Sequence, residues 1–138
     1  MKRLLPILLA LSLALAAPAA LSRSTTMQEP QVVRVTGANG MPLDDGTTRA
    51  TILAAAGEAK WTVQAESAGR LELRKEVRGK HVVVVAAVYS AGQVRFDYVD
   101  SVNMNYRMRP SGTWSIHPNY MTWRGQLEDA VRSAATSR

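Results

Sequence analysis

Side chains that could form a hydrolase triad surround one histidine of this chain. His117 has the chemistry of a general base, which a carboxylate would orient beside a nucleophilic serine. The candidate carboxylates and serines are Asp97, Asp100, Ser101, Ser111 and Ser115. No nucleophile-elbow sequence surrounds these serines, and Pro118 restricts His117 to extended backbone while suiting the first turn of a helix. We therefore assign no catalytic residue, and a small hydrolase centred on His117 is the alternative function.

Metal and cofactor chemistry has little support in the sequence. The two histidines, His81 and His117, lie in no recognised ligand spacing such as HExxH, and cysteine is absent. Phosphate-binding loops of the GxxxxGK[ST] and GxGxxG types are also missing, and residues 44–46 are better interpreted as a turn than as a calcium loop. The sequence predicts neither a metal site nor a cofactor.

Residues 101–123 are unusually rich in aromatic and polar side chains. The part that joins residues 100 and 117 exceeds the ~12–15 residues usual for a structureless loop in a compact domain. Two interpretations stay open, a ligand groove and an aromatic lid that closes one end of the core. The candidate binding residues are Asn103, Tyr106, Trp114, His117 and Tyr120.

The first 20 residues have the three-part pattern of a secretory signal peptide. Lys2 and Arg3 precede an apolar run over 4–17, and small residues follow. The run is shorter than the ~20 residues that cross a bilayer, so we expect cleavage within 16–21 rather than a permanent anchor. The sequence thus predicts a periplasmic or secreted bacterial protein with no transmembrane anchor after cleavage.

Charge and cysteine content narrow the class of partner. The formal charge is +6, and loss of Lys2 and Arg3 leaves 15 basic against 11 acidic side chains, or +4. The basic residues are scattered, unlike the clusters of nucleic-acid-binding proteins, so we expect no nucleic-acid partner. Without cysteine there are no disulfides, and the core alone must hold the fold. The expected partner is an envelope protein or a cell-wall component, and the oligomeric state is left open.

Hydropathy periods predict an α+β fold, a two-layer sandwich. Residues 21–46 form a lead-in with a candidate edge strand at 31–36 and a loop, and 47–138 form a single domain. Helical spacing appears at 47–59, and the predicted core positions are Ile52, Leu53, Ala56 and Ala59.

Four strand-like runs joined by short glycine-containing links then predict an antiparallel meander, with the two helices packed on one face. The run at 81–89 is apolar on both faces, as in a central strand, whereas the last run alternates, with Val94, Phe96 and Tyr98 opposite Arg95 and Asp97.

The second helix is predicted over 119–135. Its apolar stripe consists of Tyr120, Trp123, Leu127, Val131 and Ala134. Glu128 and Arg132 are spaced to pair on the outer side.

Two motifs resemble those of small exported bacterial envelope proteins. They are S-x-N-[LM]-x-Y at 101–106 and I-H-x-N-Y-x-x-W at 116–123. Many members of this group are described as lipoproteins with no established activity. The resemblance implies export and one compact α+β domain, and it brings no catalytic residues. Because this chain has no cysteine after the signal, we expect a soluble periplasmic form and a non-enzymatic binding or structural module of the cell envelope.

Overall fold

Over the residues that the structure describes, 23–138, the chain has an α+β fold with two helices and two antiparallel sheets. The computed structural model describes residues 23–138, so the predicted signal peptide lies outside the described residues. In chain order the elements are β1 (Thr25–Thr26), β2 (Val33–Arg34), α1 (Asp45–Glu58), β3 (Thr62–Ser67), β4 (Arg70–Val77), β5 (His81–Ser90), β6 (Gln93–Val102), β7 (Arg107–Met108), β8 (Trp114–Ile116) and α2 (Asn119–Thr136).

The larger sheet has five strands in the order β2-β6-β5-β4-β3. Strand β5 is buried on both faces from residue 83 to 87, as its continuous apolar run predicted. Val83, Val85 and Ala87 belong to the helix-side core, whereas Val84 and Ala86 face the other way. On that outer face Ala86 lies between Glu72 and Asp97. Glu72 is ion-paired with Arg70 and Asp97 with Arg95, and these long side chains shield Ala86 from water.

A second, three-stranded sheet was not predicted from the sequence. Its order is β1-β8-β7, and it pairs Thr25 with Ile116 and Met108 with Trp114. These strands have only two or three residues each, too few for a period of two to be visible. The predicted sheet of four strands with one candidate edge strand is therefore only part of the architecture.

Helix α1 begins at Asp45, two residues before the predicted start. The Asp44 side chain caps it by accepting a hydrogen bond from Thr47 N at 2.7 Å. Ile52 and Ala56 are buried as predicted, but Leu53 and Ala59 are only half-buried. The helix instead buries Thr51, whose hydroxyl donates to Thr47 O at 2.8 Å and so loses no hydrogen bond on burial.

Helix α2 buries a different stripe from the predicted one. Tyr120, Leu127 and Val131 are fully buried as expected, while Trp123 and Ala134 are half-buried. The predicted outer-face pair between Glu128 and Arg132 is wrong. Glu128 is buried and pairs with Arg124, and Arg132 pairs with the exposed Asp129 at 2.9 Å. The buried face of α2 extends beyond its apolar residues because the charged pair Arg124–Glu128 is buried as well.

The buried Arg124 joins the N-terminal lead-in to α2. Its Nε lies 3.3 Å from Glu128 Oε1, and both side chains are about nine-tenths buried. Nη1 donates to Gln28 O at 2.9 Å and Nη2 to Glu29 O at 3.5 Å. The guanidinium also lies 5.4 Å from the centre of the Tyr120 ring. Arg124 thereby ties residues 28–29 to the helix.

Removing Arg124 alone should be costly. We expect Arg124→Leu to lower the free energy of unfolding by about 3–5 kcal/mol, because Glu128 is left as a buried charge without its cation. The double variant Arg124→Leu/Glu128→Leu should lose clearly less. Arg132→Leu is the matched control on the exposed face and should stay within about 0.5 kcal/mol. Urea denaturation measures all three, and a double variant as unstable as the single one would contradict this account.

The buried carboxyl of Glu128 should leave a signature in the pH dependence of stability. Burial raises its pKa, while the positive Arg124 opposes that shift. The native state thus holds the proton more tightly than the unfolded chain, and the Glu128 contribution falls as pH rises above the unfolded value of about 4.3. Relative to Glu128→Gln, the wild-type protein should lose unfolding free energy over this range. Parallel pH profiles of the two proteins would contradict the prediction.

Candidate functional site

Four aromatic rings form a continuous row from the core to the surface. Tyr98 meets the buried Tyr120 edge-on, with ring centres 5.8 Å apart at 72°. Tyr98 and Tyr106 are stacked at 4.0 Å and 25°, and Tyr106 and Trp114 at 4.5 Å and 5°. Offset and edge-on pairs of this kind stabilise one another beyond simple burial. We call these four residues the aromatic row; one end is fixed in the core and the other reaches solvent.

A tight turn after β6 brings Tyr106 onto Tyr98. Asn103 and Asn105 adopt left-handed backbone conformations, with φ of 57° and 53°. Asparagine tolerates this region better than most residues with a Cβ, which accounts for the pair of asparagines in the motif. Met104 between them is 2% exposed and anchors the turn in the core. The chain reverses there and returns through β7 and β8, which carries Trp114.

A groove of about 660 Å³ lies beside the aromatic row. It is formed between the lead-in and β6, and the exposed fractions of Trp114 and Val32 are 38% and 54%. Arg95 and Asp97 on its rim are paired with each other at 2.6 and 2.9 Å. The groove is lined by Met27, Glu29, Pro30, Val32, Arg95, Asp97, Tyr98, Tyr106 and Trp114.

The structure divides the five candidate binding residues between the groove and other places. Tyr106 and Trp114 line the groove. Tyr120 has no exposed surface and belongs to the core. Asn103 holds the end of β6 to the preceding hairpin, since its Nδ2 donates to Lys80 O at 2.7 Å and its carbonyl lies 2.9 Å from His81 Nδ1.

His117 lies at the start of α2 and is not part of the groove lining. Its Nδ1 accepts a hydrogen bond from Asn119 N at 3.2 Å, so that nitrogen carries no proton in this arrangement. The ring centre is 6.2 Å from that of His81, and burial lowers the pKa of His117. Both effects favour a neutral imidazole.

The three candidate serines have hydrogen bonds of their own. Ser101 Oγ lies 2.8 Å from Tyr98 Oη, and Ser111 Oγ lies 2.9 Å from Thr113 Oγ1. Ser115 Oγ donates to Arg107 O at 3.3 Å. Within residues 23–138, no hydrogen bond connects any of them to His117, so the candidate triad is not assembled in this conformation.

The rings of the row are uncharged at neutral pH. Burial raises the pKa of Tyr120 to about 12 and raises the pKa values of Tyr98 and Tyr106 as well. The wall formed by the row is therefore uncharged, and the charged side chains that line the groove are Glu29, Arg95 and Asp97. In the described part of the chain, no cluster of three or more His, Cys, Asp or Glu residues could hold a metal ion. No helix of that part is long and apolar enough to cross a membrane.

The sequence patterns did not identify most of the residues that line the groove. Val32 and Pro30 lie in the lead-in, far in sequence from Trp114, and nothing local links these positions. Alternation along β6 correctly placed Arg95 and Asp97 opposite Tyr98, but that pattern does not show that a groove runs beside the strand. Only the packing of the lead-in brings the two sets together.

Comparisons with known proteins supply no relative for this arrangement. No protein-family model, curated protein or solved structure matches the chain. The resemblance to small envelope proteins accordingly stays a prediction.

Proposed function

We propose that this protein is a non-enzymatic binding module of the bacterial cell envelope, and that its ligand occupies the groove beside the aromatic row. The observation that carries the proposal is the row itself. Stacked rings present a flat, uncharged surface, and the exposed end, Trp114, borders a groove of about 660 Å³. A concave surface with apolar walls and few polar groups is the usual form of a binding site.

Rigidity of the row favours binding over a purely structural role. Tyr120 is fixed in the core, and each further ring is held by its stacked neighbour. Tyrosine and tryptophan have two side-chain torsions, so little conformational entropy is lost when a ligand packs on them. A lid that served folding alone would gain nothing from the half-exposed indole of Trp114 at the edge of a groove.

The helices and the meander together give the groove a firm support. Ile52 of α1 and Leu127 and Val131 of α2 share one hydrophobic core with β4, β5 and β6. We infer from this shared core that both helices form one layer against one face of the meander, as the two-layer sandwich predicts. The ligand surface then lies on an ordered framework, not on a mobile loop.

The envelope location is inferred from the N-terminal pattern. A signal peptide over 1–20 and the lack of cysteine favour an exported protein without disulfides or a lipid on cysteine. Its partner would then be an envelope protein or a cell-wall component. Among residues 23–138 no hydrogen bond joins His117 to a candidate serine or carboxylate, so the hydrolase alternative has no observation in its favour.

Shortening the exposed end of the row should weaken ligand capture without unfolding the protein. We expect Trp114→Ala to retain at least tenfold less envelope material than wild type, because the flat end of the groove is lost. Tyr120→Phe should capture normally, since its hydroxyl is buried away from the groove. The measurement is quantitative capture from a fractionated bacterial envelope on immobilised protein, with folding checked by circular dichroism.

Met41→Ala is the matched control for this experiment. Met41 is an exposed apolar residue, 62% accessible, in the loop before α1 and away from the groove. Its variant should behave as wild type. Equal capture by folded Trp114→Ala and wild type would show that the groove is not the binding surface.

A further inference from the structure

The groove beside the aromatic row is negatively charged on a chain that is basic as a whole. Its lining includes two carboxylates, Glu29 and Asp97, against one cation, Arg95, which gives a formal charge of −1. The whole chain has 17 basic against 11 acidic side chains, and 15 against 11 without Lys2 and Arg3. A local charge of this sign attracts and orients ligands of the opposite sign. The lining of the groove therefore favours a cationic ligand.

Glu29 is the carboxylate of the groove that has no cation of its own. Arg95 and Asp97 are joined by two hydrogen bonds, of 2.6 and 2.9 Å, and so neutralise each other. The Glu29 side chain is exposed, and among residues 23–138 it forms neither an ion pair nor a hydrogen bond. The hydrogen bond to Asp97 raises the pKa of Arg95 most, and the field of Glu29 raises this pKa to a smaller extent. Glu29 thus contributes an unpaired negative charge to the groove.

The backbone of Glu29 is held in place although its side chain is free. Arg124 donates from Nη1 to Gln28 O at 2.9 Å and from Nη2 to Glu29 O at 3.5 Å. The next residue, Pro30, has its φ fixed by the proline ring. A ligand that pairs with the carboxylate has to order one side chain and no backbone, which keeps the entropic cost of binding small.

The outer end of the aromatic row offers the second contact for a cation. Tyr106 is stacked on the indole of Trp114 with the ring planes 5° apart, and 38% of Trp114 stays exposed. A cation over an aromatic face is attracted by the ring electrons, most strongly over tryptophan. The same protein already contains such a pair, since the guanidinium of Arg124 lies 5.4 Å from the centre of the Tyr120 ring. Trp114 can receive a guanidinium from a ligand in the same way.

We propose that the groove binds an arginine side chain of an envelope polypeptide, whose guanidinium stacks on Trp114 while Glu29 supplies the opposite charge. This inference rests on the proposed function and names the chemical class of the ligand. A planar guanidinium stacks on aromatic faces and forms paired hydrogen bonds with a carboxylate, as Arg95 does with Asp97 in the same groove. The bound guanidinium extends the row of stacked rings by one more flat group.

The lining favours arginine over other amines. Arginine packs its methylene stem on apolar surface while its charged head stays at a polar rim. The groove provides such a surface next to its charged groups, since Met27, Pro30 and Val32 also line it. Lysine has a similar stem, but its ammonium is a strongly hydrated point charge without a flat face. An amino sugar of the cell wall has the charge and lacks the stem.

Short peptides test the ligand class. The probe is an N-acetylated, C-amidated pentapeptide with one central arginine between glycine and serine residues, and the reference peptide has citrulline, a neutral analogue of similar shape, at that place. Citrulline should weaken binding at least tenfold, and lysine should weaken it less, because the charge is kept. NMR titration measures the affinities from the Trp114 indole N–H signal. Upfield shifts of the arginine side-chain protons report the stacking itself.

The charge of the groove is tested by two matched variants. Glu29→Gln should bind the arginine peptide at least threefold more weakly than wild type, and this difference should shrink with added salt, since exposed charges are screened. Glu58→Gln removes the same charge from an exposed position at the end of α1, outside the groove lining, and should bind as wild type. Both side chains are exposed, so both variants should fold normally, which urea denaturation checks.

The outcomes separate this inference from the proposed function. Equal affinity for the arginine and citrulline peptides, no binding of either at millimolar concentration, or full affinity of Glu29→Gln would overturn the arginine inference. If neutral cell-wall glycan fragments then bind in a Trp114-dependent way, the groove is a binding site and only the ligand class is wrong. If neither probe binds and Trp114→Ala captures the same envelope material as wild type, the proposed function fails as well.

Discussion

The buried guanidinium of Arg124 is the contact on which the remaining architecture depends. A charge this deeply buried is tolerated only when it is paired and hydrogen-bonded; here Glu128 supplies the opposite charge at 3.3 Å, and the carbonyls of Gln28 and Glu29 accept hydrogen bonds from the guanidinium. The arrangement fixes the path of the lead-in across α2. That path leads β1 to β8 and so creates the second sheet, and among residues 23–138 no strand pairs with the β2 side of β6 beyond Val94. Arg124 thus influences the shape of the groove through the lead-in, although Arg124 itself does not line the groove.

The aromatic row meets the larger sheet at Tyr98 of β6. The ring of Tyr98 stacks on Tyr106 and contacts the edge of the buried Tyr120, so this one residue joins the surface end of the row to the core. The turn through Asn103 and Asn105 is what folds the row back over the strand. Tyr106 and Trp114 are thereby held in place by stacking that starts from the strand.

Prediction from the sequence was correct where a hydropathy pattern extends over a whole strand or helix. The alternation of β4 and β6, the continuous apolar run of β5 and the spacing of Tyr120, Leu127 and Val131 in α2 all gave correct elements. It failed for Glu128, whose charge indicated an exposed face, because a buried partner one turn earlier offset the cost of burial. Of the five candidate site residues, Tyr106 and Trp114 line the groove, and an aromatic-rich segment was the signal that found them.

What the sequence by itself determined is the α+β class, the meander and the helices, since each depends on contacts between residues near one another in the chain. The tertiary structure alone decided the second sheet, the burial of the Arg124–Glu128 pair and the groove. These features join residues 25–34 to residues more than fifty positions later, through strands of two or three residues and through single side chains. Such contacts leave no periodic pattern, because their energy depends on where the chain folds back and not on the order of residues within one element.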